Sequence, residues 1–246
     1  MTGKIWPHME QRSEAWFKAR GGRPTASQFA RILTAGGKDS SQWEGFADEL
    51  IAQSIDPTEI PAFFGSSNTE RGNEHEPEAR ELFASLTGYE VVTVGFVTRP
   101  DGIVGCSPDS LLRVRGACVA GLEIKCPMAK THVANYRDWL ADRSFVPSQY
   151  LPQIHGSMAV SGLNLWWFMS FYRGMAPVLT RVHWDSYTDK LSAALDRFVI
   201  YYAEQRKKLI PKLKASAATS IEPHREFLSA LHRGPLPQPE HDELPI

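Results

Sequence analysis

A chain of 246 residues, 42% hydrophobic and 22% charged, has the material for one domain with a substantial core, and its composition excludes a disordered or fibrous protein. The net charge of −1 neither points to nucleic acid nor excludes it, because a local basic groove can sit on a neutral protein. No apolar run approaches the roughly 18 residues of a membrane span, and residues 1–8 lack the pattern of a secretory signal, so a cytoplasmic protein without membrane contact is expected.

In chain order, residues 9–20 carry an amphipathic helical pattern, with Trp16 and Phe17 turned into the core and Gly21-Gly22 as its end. Thr25-Ala26-Ser27 offers capping hydroxyls for a second helix that carries Phe29, Ile32 and Leu33. A loop at 36–39 precedes a third helix over 43–54. The stretch 68–86 is helical, with Ala79, Leu82, Phe83 and Leu86 on one face and Pro77 near its start. Four β-favouring runs follow, at 91–98, 103–106, 111–114 and 119–125, divided by turns such as Pro100-Asp101-Gly102. Helices resume over 128–140 and 147–160. The run 165–172 is nearly all apolar, as a strand covered on both faces is, and 178–184 is its neighbour.

Ser186 is placed to cap a long helix to residue 209, with Leu191, Leu195, Phe198, Val199 and Tyr202 as its stripe. Beyond Pro211 the chain turns to Ala, Ser, Pro and charge, and a short helix over 222–231 is expected before a loosely held tail. Cys106, Cys118 and Cys126 lack C-x-x-C spacing and are expected as small buried strand residues, not as disulfides or zinc ligands. The order of elements predicts an α+β fold with a mixed sheet rather than a regular βα alternation.

The chemistry-bearing residues lie in the β region. Glu123 and Lys125, in L-E-I-K-C-P, are two apart and share one side of a strand, while Ile124 turns into the core. Asp109, in C-S-P-D-S, precedes them by one hairpin-like unit, so adjacent strands bring it beside Glu123. Two carboxylates suit Mg²⁺, which takes one or two of them with water and substrate phosphate. A cation there lowers the pKa of its water and stabilises charge on a phosphoryl oxygen, and an ammonium beside it orients that water or offsets developing charge. Glu123-Ile124-Lys125 is the only (D/E)-x-K in the sequence, and the rival Pro100-Asp101 reads as a hairpin turn. The residues alone leave a second reading open, a solvated strand face with paired charges.

Five motifs in order carry a resemblance. They are A-W-F-K-A-R-G-G-R-P-T-A-S (15–27), R-G-N-E-H-E-P-E-A-R-E-L-F (71–83), C-S-P-D-S (106–110), L-E-I-K-C-P (122–127) and Q-Y-L-P-Q-I-H-G-S-M (149–158). With them the chain, from about Glu14 to Tyr202, resembles the bacteriophage lambda exonuclease family, viral recombination nucleases of the restriction-endonuclease-like PD-(D/E)xK superfamily.

The resemblance implies a central mixed β-sheet flanked by helices, an α/β sandwich, in a single nuclease domain over 1–210 with a C-terminal extension over 211–246. It implies metal binding by Asp109, Glu123 and the backbone carbonyl of Ile124, with Glu76 facing the metal directly or through water. Lys125 matches the catalytic lysine and Gln153 a glutamine that positions substrate or water. Gln149 and Glu74 are expected to face solvent and His155 to be structural. Arg20 and Ser27 match a pocket for the 5′-phosphate of a DNA end, with Arg23 and Thr25 as second-rank neighbours, and Trp16 is read as core.

The activity implied is Mg²⁺-dependent 5′→3′ degradation of one strand of linear double-stranded DNA, with Mn²⁺ as a substitute metal. The family also implies a homotrimeric ring, a single-strand annealing protein as partner, and a phage or prophage origin in a bacterial cytoplasm. The tail beyond Pro211 departs from the family pattern and leaves oligomer geometry open. Two alternatives stay open as well, a relative that cuts single strands or internally, and a non-catalytic DNA-binding module of the same fold.

Overall fold

The computed structural model describes residues 3–6, 9–56 and 67–214. Their elements run β1 (Lys4–Trp6), α1 (Glu14–Arg20), a 3-10 helix (Ala26–Arg31), α2 (Trp43–Ile55) and α3 (Ser67–Thr87), then β2 (Glu90–Val92), β3 (Phe96–Thr98), β4 (Gly105–Cys106), β5 (Ser110–Val114) and β6 (Ala117–Lys125). After these come α4 (Ala129–Ala141), a 3-10 turn (Ser148–Tyr150), α5 (Leu151–Ser161), β7 (Leu165–Ser170), β8 (Val178–His183) and α6 (Ser186–Lys214).

A five-stranded sheet has the order β2-β5-β6-β7-β8, antiparallel throughout except for the parallel pair β6–β7. The central strand β6 is buried from residue 120 to 124. Its alternation divides the two sides of the sheet. Leu122 and Ile124 join Ala79 and Phe83 of α3 in one apolar core, where each large side chain contributes roughly 1.5–3 kcal/mol by burial. Glu123 and Lys125 project from the other side, toward Gln153 of α5. The expected mixed sheet flanked by helices is therefore the observed architecture. A second, antiparallel sheet has the order β1-β3-β4.

The hairpin between β5 and β6 sets the register of the site. Arg115 and Gly116 have φ of 51° and 80°, as a two-residue turn of the primed type requires. A bulge then intervenes: Arg113 pairs with Cys118 but Leu112 with Ala120, and Ser110 pairs with Leu122. Continued by one residue, this register sets Asp109 opposite Glu123. Without the extra residue Asp109 would oppose Leu122, and the two carboxylates would part.

Several local expectations are corrected. The helix expected over 9–20 begins only at Glu14, because Ser13 caps it and Arg12 has a φ of 70° that no helix can contain. The strand expected over 91–98 splits between the two sheets, since the carbonyls of Val94 and Gly95 accept from Gln11 and Trp16 rather than from a neighbouring strand. The strand expected over 103–106 shortens to β4.

Thr25 makes no side-chain cap, and the helix after it is a short 3-10 segment. Asp185, not Ser186, caps α6, with its Oδ1 accepting from the amides of Tyr187 and Thr188. Pro77 lies inside α3, and α6 continues through Pro211 to Lys214. Of the cysteines only Cys106 is buried, and Cys126 follows the end of β6. The strand β1 was not expected.

The chain divides at Ala203/Glu204 into two compact units. The described part of the second is the helical continuation to Lys214, and the helix expected over 222–231 lies outside the described residues.

Candidate active site

Asp109 leaves the loop before β5 with its Oδ2 accepting the Ile124 N–H at 2.6 Å. Glu123, only 1% exposed, has one oxygen committed: Oε1 accepts from Lys125 Nζ and from Gln153 Nε2, each at 2.5 Å. Its Oε2 is buried without any partner. Such an atom carries the desolvation cost of a polar group and marks a place where a cation is missing or a proton is wanted. A solvated strand face is thereby excluded for Glu123.

The electrostatics agree. Burial, then Glu123, then Glu76 push the Asp109 carboxyl well above the usual carboxylate range, against Lys125 and the Ile124 amide. Burial likewise raises Glu123, with Lys125 opposing it. For Lys125 burial works against the charge, but Glu123 and Asp109 outweigh it and raise its pKa. The ammonium also lies 5.2 Å from the ring centre of Tyr150. These raised carboxyls beside a persistent ammonium are the pattern of a functional site rather than of a surface ion pair.

Glu76, on α3, pairs with Arg80 at 2.5 Å and lines the same cleft as Asp109. Among the described residues no group of three or more His, Cys, Asp or Glu side chains is arranged to hold a metal ion. The donors at the centre are therefore Asp109, the free oxygen of Glu123 and main chain, all of them oxygen, with no thiolate or imidazole. Such a set fits a hard cation that keeps several waters, and does not fit zinc in a closed site.

The cleft has two lobes. One, of about 530 Å³, is lined by Arg80, Thr93, Val94 and Gly95 with Glu76 and Asp109. The other, of about 450 Å³, is lined by Ile124, Lys125, Thr131 and Tyr150, again with Glu76 and Asp109. Arg12 lines both.

A second cluster adjoins this centre. Arg20 donates to Ser107 at 2.9 Å, Thr25 at 3.1 Å and Ser27 at 3.4 Å, and its guanidinium lies 4.2 Å from the centre of the Trp16 ring. Burial lowers its pKa to about 10, so it stays charged at neutral pH. Three hydroxyls and one guanidinium facing each other make an anion-sized set of donors. Trp16 is correspondingly half-buried, with its indole N–H on Gly95 and Ser107, so it floors this cluster instead of entering the core.

Of the expected residues, the structure brings Asp109, Glu123, Lys125, Gln153 and Ile124 together, with Glu76 across the cleft, and separately Arg20, Thr25 and Ser27. Arg23 stands apart, bonded to the carbonyls of Ala19 and Gly102. Gln149 is exposed. His155 is buried against Thr188 at 2.7 Å, as a structural histidine is. The sequence reading missed Arg12, Ser107 and Tyr150. Ser107 had a signal, its place inside C-S-P-D, whereas Arg12 and Tyr150 reach the cleft through tertiary folding alone.

The sequence profile of the YqaJ-like viral recombinase domain matches residues 15–164, well over half the chain. No curated protein sequence matches the chain. Among solved structures, LHK-Exo in complex with dAMP is similar at 28% identity and TM-score 0.63, over 82% of this chain and 100% of that one. The alkaline exonuclease LHK-Exo from Laribacter hongkongensis is similar at 26% identity with the same TM-score and coverage. A phage related exonuclease from Haemophilus somnus 129PT shares the fold, with TM-score 0.54 at 15% identity over 76% of this chain and 96% of that one. The resemblance read from the five sequence motifs is thus independently borne out, and the chain belongs to the YqaJ-like viral recombinase domain family.

Proposed function

We propose that the chain is a Mg²⁺-dependent exodeoxyribonuclease that degrades the 5′-ended strand of linear duplex DNA to 5′-mononucleotides in phage-type recombination. The observation that carries this reading is the buried Glu123 carboxylate, with Oε1 held by Lys125 and Gln153 and Oε2 without a partner beside Asp109. Similarity to the exonuclease LHK-Exo supports the reaction class, and the dAMP in one of its structures is a mononucleotide of the kind expected as product.

Asp109, Glu123 and the Ile124 carbonyl would hold the metal, with Glu76 reaching it through water and Mn²⁺ as a substitute. When bound, the ion stabilises charge on a phosphoryl oxygen and acidifies its water. Lys125 acts as a cation: held charged by Glu123 and Asp109, it steadies the attacking water and offsets developing negative charge. Gln153 holds Glu123 in place, leaving Oε2 free. Arg20, with Ser27, Thr25 and Ser107, binds the 5′-phosphate of the DNA end and sets strand polarity. The reading extends by family resemblance to a trimeric ring around duplex DNA in a bacterial host, and to an annealing protein that receives the exposed 3′ strand.

The test is a strand-resolved digestion of a linear duplex with a 5′-phosphate on one end and a 5′-hydroxyl on the other. Progressive loss of the phosphorylated strand from its 5′ end in Mg²⁺, absent in Asp109→Ala and Lys125→Ala, is expected. Binding without cleavage would overturn the reading in favour of a non-catalytic module.

A further inference from the structure

Among the described residues two non-glycine residues have positive φ, Arg12 at 70° and Arg115 at 51°. Arg115 is accounted for by its hairpin turn. Arg12 is the third residue of a turn closed by the Ser13 N–H, which donates to the Glu10 carbonyl at 3.2 Å, and a positive φ at that place is usually left to glycine or asparagine.

Further contacts fix where this turn sits. Gln11, the preceding residue, donates its carboxamide to the carbonyls of Val94 at 2.8 Å and Pro108 at 2.9 Å. Gly95 leaves room for the chain before it, since a Cβ there would lie 1.9 Å from the Met9 carbonyl oxygen. The cap at Ser13 fixes the other side. The segment is thus fastened by Gln11 and Met9 to the loops that border Asp109 and by Ser13 to α1, and its one long cationic side chain lines the cleft.

The charges of the cleft decide what that side chain is for. Among the described residues three cations line the two lobes: Arg12, Arg80 and Lys125. Arg80 is paired with Glu76 and Lys125 with Glu123. Arg12 is exposed, lines both lobes, and among the described residues has no ion pair or hydrogen bond from its guanidinium. A phosphodiester approaching Asp109, Glu123 and Glu76 meets like charge, and beyond any metal those carboxylates hold, a cation not already committed to a carboxylate attracts it.

We propose that Arg12 grips the DNA backbone at the cleft, forking onto a phosphodiester that lies across the two lobes beside Asp109. This rests on the nuclease reading above for the identity of the ligand. The turn at Glu10–Ser13 presents the guanidinium to the cleft, and the Gln11 and Gly95 contacts hold the turn in place. Arg12 is a DNA-binding residue distinct from the Arg20 cluster, which takes the strand end.

The test is binding of a 5′-phosphorylated duplex oligonucleotide by fluorescence anisotropy across a salt series, with Ca²⁺ in place of Mg²⁺. The full-length wild-type protein is compared with Arg12→Gly, Arg12→Lys and Arg12→Ala. Losing one charge-assisted phosphate contact weakens binding roughly tenfold or more and makes the slope of log K against log salt shallower by about 0.9. Arg12→Lys recovers part of both effects. Arg12→Gly relieves the backbone, so its Tm stays at or above that of the wild type while binding falls, which separates contact from folding.

An Arg12→Gly protein with wild-type affinity and salt slope overturns the proposal. Should the wild type bind duplex but cut no strand once Mg²⁺ replaces Ca²⁺, the nuclease reading fails, and the salt slopes still decide the Arg12 contact. A wild type that binds no duplex overturns both.

Discussion

The Arg20 guanidinium meets the Ser107 hydroxyl at 2.9 Å, two residues before Asp109 on the same loop. One short segment, C-S-P-D, thus connects the cluster suited to a terminal phosphate with the carboxylates suited to a metal. A strand end seated at Arg20 is delivered next to Asp109 without any separate positioning element. Arg20→Ala is expected to remove discrimination between 5′-phosphate and 5′-hydroxyl ends. The loss in kcat/KM is roughly 10- to 100-fold on phosphorylated ends, the worth of a charge-assisted bidentate contact, and small on hydroxyl ends. Competition between the two substrates measures it, and an equal loss on both would place the phosphate elsewhere.

Asp109 costs stability in the metal-free protein, because burial and the nearby Glu123 and Glu76 all oppose its charge. Asp109→Asn keeps an acceptor for the Ile124 amide while removing that charge. Its expected phenotype is inactivity together with a Tm in EDTA raised by roughly 2–4 °C, as about 1 kcal/mol produces in a domain of this size. Thermal melts with and without Mg²⁺ check this. A lower Tm in EDTA would mean that the carboxylate stabilises the fold.

Gln153 touches the reaction only through Glu123 and Lys125. Gln153→Ala should lower kcat by about 10- to 100-fold, the usual effect of removing a partner that orients a metal ligand. The Mg²⁺ concentration for half-maximal rate should rise, and KM for DNA should change little. A pure KM effect would make Gln153 a substrate contact instead.

The legible part of the site was the part written in adjacent residues. Glu123, Ile124 and Lys125 follow from strand alternation, and α3, β6 and β7 follow from apolar periodicity. The bulge that sets Asp109 opposite Glu123 was not legible, because one additional residue in Ala117–Lys125 leaves no mark in composition. Nor was the start of α1 at Glu14: residues 9–13 have a helical pattern, but Gln11 spends its side chain on Val94 and Pro108 and Arg12 leaves helical space. The split of 91–98 between two sheets has the same origin, since the carbonyls that a strand would use there are taken by Gln11 and Trp16. Long-range side-chain bonds overrode local propensity in these last two cases.

His155 gives the fold a pH dependence remote from the cleft. Burial lowers its pKa below the ordinary 6.5, only partly opposed by Asp185. The unfolded chain therefore binds the proton more readily. The stabilising contribution of neutral His155 is complete above pH 6.5 and is lost as pH falls through the lowered folded-state value. The wild-type Tm should decline between pH 7 and pH 5, and His155→Gln, which can still bond Thr188, should flatten that decline. An identical slope in both proteins would assign the acid sensitivity to other groups.

The most direct test of the central claim is the rate of strand loss from linear duplex DNA as a function of Mg²⁺, for the wild type and Glu123→Gln. The account predicts saturable Mg²⁺-dependent digestion by the wild type, none in EDTA, and none at any Mg²⁺ concentration by a Glu123→Gln protein that melts as a folded domain. Digestion by wild type in EDTA, or wild-type rates in Glu123→Gln, would contradict a metal centre built on the free oxygen of Glu123.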